Sequence, residues 1–96
     1  IGAQSEGLTI RTRDSAIISA PAAGMIRFAG PFRNYGNMVI IEHQDGLHSL
    51  IAGFGSVDIS VGRKISAGEP LGRVSGTGTG GTPRVYYELR LNGKAV

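Results

Sequence analysis

Pro83-Arg84-Val85-Tyr86-Tyr87-Glu88-Leu89-Arg90 is the stretch on which the reading of this chain turns. Val and Tyr favour the extended backbone, and a proline before such a run marks its start. Period-two alternation then puts Arg84, Tyr86, Glu88 and Arg90 on one face of the strand. Tyr and Arg are the side chains that most often anchor interfaces. The closing strand therefore presents a face suited to contact as much as to packing.

The rest of the chain has the same texture. Short apolar runs fall at 16–18, 25–28, 38–42, 47–52, 70–74 and 85–91, divided by Gly, Pro and Asp. They are rich in β-branched residues and spaced like the strands of an all-β domain. No segment sustains a helical period, so little or no helix is expected. His43-Gln44-Asp45-Gly46 reads as a hairpin turn, because Asp-Gly tolerates the positive φ such turns require. Residues 75–82 form a Gly/Thr loop expected on the surface.

Composition sets outer bounds. Ninety-six residues suit one domain with a single core. A hydrophobic share of 41% is ordinary for a soluble globular chain, and no apolar run reaches the length of a membrane span. The chain opens on Ile1, so it reads as a trimmed or processed piece of a longer protein. Without cysteine it has no disulfide or thiolate metal site, which fits an oxidising compartment without requiring one. The formal net charge is +3. Arg63, Lys64, Arg73, Arg84, Arg90 and Lys94 outweigh Glu69 and Glu88 toward the C-terminus, inviting an anionic partner. Nucleic acid is not expected, because the basic residues are scattered and no stacking aromatics interleave them.

Almost the whole chain resembles a LytM (lysostaphin-type peptidase) domain. The family's closing strand usually reads Pro-His-Leu-His-Phe-Glu-Val-Arg, against residues 83–90 here. Its Gly-Tyr-Gly-Asn-x-Val-x-Ile-x-His segment is similar to residues 34–43, and its Tyr-Ala-His-Leu to Ile51-Ala52-Gly53-Phe54. The Val-Gly-x-x-Ile-x-Ala-Gly-x-x-Leu-Gly rhythm of residues 61–72 resembles tight turns shared by that barrel and by biotinyl and lipoyl carriers. A carrier is not expected, since Lys64 lacks the modification tip. The resemblance implies an all-β LytM-type sheet domain over 1–96, with barrel-sandwich-like hairpins. It also implies upstream coiled-coil segments in the longer protein.

Carried over residue by residue, the family's zinc ligands fall on Ser5, Thr9 and Tyr86, and its catalytic histidines on Gly53 and Arg84. Arginine stays protonated and offers zinc no lone pair; tyrosine is an uncommon ligand with a high pKa. A hydrolytic zinc site needs three good ligands and an open water position. The resemblance thus implies a pseudo-peptidase with no cofactor. Its pattern of replacement is similar to EnvC-like factors, which bind and activate zinc-dependent cell-wall amidases in the periplasm. The family's activating surface is the groove where a peptidase would hold substrate. On that basis Tyr35, Gly53, Phe54, Arg84, Tyr86 and Arg90 are the candidate partner-binding residues. A passive peptidoglycan-binding module and an active zinc endopeptidase are the competing readings.

Other constellations carry less. His43-x-Asp45-x-x-His48 has no recognised ligand geometry and is expected on an exposed turn. The Gly76-x-Gly-x-Gly-Gly run precedes a proline and a strand, whereas a phosphate loop leads into a helix. Asp14 and Glu69 read as solvated turn carboxylates rather than a glycosidase pair. Ser49 lies beside His48, but no base is expected to be oriented toward it.

Overall fold

The computed structural model describes residues 7–75, 83–91 and 94–95. Its strands are β1 (Leu8–Arg11), β2 (Ile17–Ser19), β3 (Gly24–Pro31), β4 (Asn37–Glu42), β5 (Leu47–Val57), β6 (Lys64–Ile65), β7 (Pro70–Val74), β8 (Arg84–Leu91) and β9 (Lys94–Ala95). They form one antiparallel sheet with the order β1-β8-β5-β4-β3-β6, while β7 joins β5 to β2 and β9 pairs β8. The one helical element among the described residues is a 3-10 turn at Arg33–Tyr35. No helix there is long and apolar enough to cross a membrane. The expected all-β class is the observed one.

The run Met38-Val39-Ile40-Ile41 explains why β4 is central. Val39 and Ile41 enter the main core with Ile26, Ile51 and Leu71. Met38 and Ile40 pack on the opposite face, in a second cluster with Leu50, Ala52, Phe28 and Tyr86. A strand covered on both faces reads as an unbroken apolar run. The 43–46 turn forms as the sequence predicts. Asp45 and Gly46 take φ of 60° and 79°. The Leu47 amide donates to the Gln44 carbonyl at 3.2 Å.

Strand β5 runs past the expected end at 52 because it changes partners. Leu47 to Ala52 pair with β8, and Phe54 to Val57 pair with β7. The junction is a bulge: Asn37 faces Phe54 while Met38 faces Ala52, so Gly53 is unopposed. Its φ is +109°. A β-carbon built there would collide with the Arg84 carbonyl oxygen. Glycine is the residue that accepts both constraints.

Candidate functional site

The concave face of the sheet is assembled from β1, β4, β5, β8 and the 3-10 turn. Thr9, Tyr35, Ala52, Gly53, Arg84 and Tyr86 line a concavity of about 300 Å³. Of the sequence-predicted positions, the structure therefore gathers Thr9, Tyr35, Gly53, Arg84 and Tyr86 around one hollow. Ser5 lies outside the described residues. Arg90 sits farther along the same face of β8. Phe54 does not join them: it is 3% exposed and packs in the main core. The bulge at Gly53 is the reason. Ala52 belongs to the concave-face cluster, and the extra residue shifts the alternation so that Phe54 points to the opposite side.

Aromatic rings form an arc that reaches the hollow through Tyr35 and Tyr86. Phe28 meets Phe32 edge-on, with centroids 5.7 Å apart and planes at 82°. Phe32 and Tyr35 are 6.2 Å apart, and Tyr35 and Tyr86 are 6.0 Å apart. These separations lie within the favourable range for aromatic pairs. Arg33 lies over the Phe32 ring at 5.5 Å, a cation–π geometry. Phe32 and Tyr35 remain 37% and 42% exposed, so the arc is open to a ligand. Tyr35 reaches this place because the 3-10 turn lifts it off the β3–β4 connection, and sequence periodicity gives no sign of Phe28 and Phe32 beside it.

Tyr86 is held in the lining of the hollow by a polar lock farther along β8. Glu88 is 4% exposed, and a buried carboxylate needs partners. The Tyr86 hydroxyl donates to its Oε1 at 2.7 Å, and Arg90 Nη2 pairs with its Oε2 at 2.7 Å. Glu88 was legible as a member of this face from strand alternation; its role as the group that holds Tyr86 and Arg90 was not.

Zinc does not fit these residues. Thr9, Gly53, Arg84 and Tyr86 offer one hydroxyl, no side chain, one permanent cation and one phenol committed to Glu88. At Gly53 the backbone excludes a side chain altogether. Among the described residues no three His, Asp or Glu side chains gather to hold a metal. His43 and His48 lie apart from the hollow, and both are half-buried rather than exposed as expected. His43 Nδ1 donates to the Ala23 carbonyl at 2.7 Å. Its Nε2 lies 2.7 Å from Ser49 Oγ, which lies 3.1 Å from the Tyr87 hydroxyl. A histidine is thus oriented toward Ser49 after all, but the serine is fully buried and out of reach of substrate.

An antiparallel all-β sheet of this kind is the architecture of LytM-type domains. The chain belongs to peptidase family M23, whose model matches residues 3–96. It is 34% identical to the murein hydrolase activator EnvC of Escherichia coli, over 95% of this chain and 22% of that protein. It is 31% identical to the cell division protein DipM of Caulobacter vibrioides, over 93% and 15%. It is 37% identical to the DD-carboxypeptidase/endopeptidase Mpg of Neisseria meningitidis, over 82% and 18%. The chain thus spans a fifth or so of the length of these relatives. Among solved structures, a putative peptidase M23 from Pseudomonas aeruginosa superposes with a TM-score of 0.84 at 29% identity, over 94% of this chain and 40% of that one. Lysostaphin shares the fold, with a TM-score of 0.82 at 22% identity over 90% and 36%.

Proposed function

We propose that residues 1–96 are one LytM domain of a longer protein and act as a non-catalytic activator. The domain binds a periplasmic, zinc-dependent N-acetylmuramoyl-L-alanine amidase through the concave face. It stimulates that enzyme during cell division and daughter-cell separation. The observation that carries this reading is Gly53: a position the resemblance assigns to a catalytic histidine is a bulge where a side chain collides with Arg84. The relatives named for murein hydrolase activation and cell division point the same way. Activation requires tighter binding to the open form of the amidase than to its closed form. No metal on the activator is needed for that.

The likeness to Mpg supports the competing endopeptidase reading. The exposed rings of Phe32 and Tyr35 favour the passive alternative, since they could stack on the sugars of peptidoglycan. One experiment separates the three: amidase activity on purified sacculi with and without the domain, and zinc content on the same sample. Stimulation by a metal-free domain that releases nothing alone is the expected result. Cleavage by the domain alone, abolished by chelator, would restore the endopeptidase. Binding to sacculi with no effect on any amidase would leave the passive module.

A further inference from the structure

Arg11 and Arg84 stand directly opposite each other in the β1–β8 ladder, and Thr9 stands opposite Tyr86 in the same ladder. Directly opposed residues of an antiparallel pair project to the same face, with β-carbons about 5 Å apart. Thr9, Arg84 and Tyr86 line the hollow, so the pleat brings Arg11 to that face as well. Both arginines are exposed. Among the described residues the ion pairs are Arg27–Glu42, Arg63–Glu69 and Arg90–Glu88, and none includes Arg11 or Arg84. Asp14, near β1 in sequence, accepts from the Ser15 hydroxyl at 3.4 Å.

Like charges placed opposite in a ladder repel, and guanidinium groups cannot relieve this by losing a proton. An anion bridging the two relieves it, and guanidinium engages carboxylate with paired, charge-assisted hydrogen bonds. We propose that the Arg11–Arg84 doublet anchors an acidic segment of a protein partner, in which carboxylates sit next to apolar side chains. This rests on the partner-binding reading of the concave face given above. The paired positive charge selects an acidic peptide over a neutral glycan. Beside the doublet lie Ala52 and the rings of Tyr35 and Tyr86, and the Tyr86 hydroxyl is already committed to Glu88. The rings accept a sugar face or an apolar side chain alike, but a carboxylate between apolar side chains answers both the rings and the doublet's charge.

The test is an NMR titration of the 15N-labelled domain with acetyl-Leu-Glu-Glu-Leu-Leu-amide and with its Gln-Gln counterpart. The glutamate peptide should shift the amides of Arg11 and Arg84 saturably. The glutamine peptide should bind at least about tenfold more weakly, the scale of one lost charge-assisted contact. Arg11→Gln and Arg84→Gln should each cost a similar factor, with melting temperatures kept or raised because the repulsion is relieved. Lys64→Gln, on β6, should change nothing. Equal binding of both peptides, no shifts at Arg11 and Arg84, or purified muropeptides binding there instead would overturn the proposal. Full amidase stimulation by both arginine variants would sink the anchor and spare the activator reading. An acidic peptide that binds the doublet on a domain that stimulates no amidase would do the reverse.

Discussion

Position 53 combines a positive φ with a neighbour that fills the space of a side chain. Gly53→Ala should therefore destabilise the fold by about 2–4 kcal/mol, the sum of backbone strain and a shifted strand. Thermal unfolding reads this directly, and an unchanged melting temperature would mean β5 relaxes around the new methyl. Tyr86→Phe removes the donor to Glu88 Oε1 and should cost about 1–2 kcal/mol, the scale of one hydrogen bond withdrawn from a buried carboxylate. A stability equal to the parent in urea unfolding would show that water replaces the phenol. At this scale Arg84, Tyr86, Glu88 and Arg90 were legible, because alternation along one strand assigns them a common face. Phe54 was not, because a bulge reverses the alternation and no local pattern announces it. Arg11 was not legible either, since its meaning comes from the residue across the ladder.

Strand β5 organises the elements: it meets β4, β8 and β7 along its length. Its hairpin with β4 is pinned by a directional relay. His43 Nδ1 must donate to the Ala23 carbonyl, so in the neutral ring Nε2 accepts from Ser49. The Ser49 oxygen in turn accepts from Tyr87 on β8. Ser49→Ala should leave the His43 and Tyr87 ends of the relay unmet and cost about 1–3 kcal/mol. The 15N shifts of His43 should show the Nδ1–H tautomer in the parent. An Nε2–H tautomer would reverse the relay and contradict this arrangement. The hairpin turn was readable because Asp45-Gly46 is a strong local signal. β1 was hidden because all its residues are exposed. The second half of β5 was hidden because Gly53 and Gly55 interrupt the apolar pattern that defines the first half.

Across the whole molecule, the sheet separates two chemistries. One face closes over the aliphatic core built from Ile26, Val39, Ile41 and Leu71. The other carries Tyr35, Tyr86, Arg84 and, by register, Arg11. With the cations at the rim, binding of an acidic partner should weaken as salt rises. Raising ionic strength from about 0.1 M to 1 M shortens the screening length from about 10 Å to 3 Å. Amidase stimulation should fall over that range at fixed, subsaturating domain, and a flat response would argue for a purely apolar contact. The bulge at Gly53 also limits the substitutions open to this chain. A histidine at 53 needs more than one codon change. Flattening the bulge to make room would turn residue 53 toward the core side, swing Phe54 out of the core and unseat the pairing with β7. A side chain at this position thus brings either a collision with β8 or a misdirected strand, and the bulge narrows the sequences this stretch accepts.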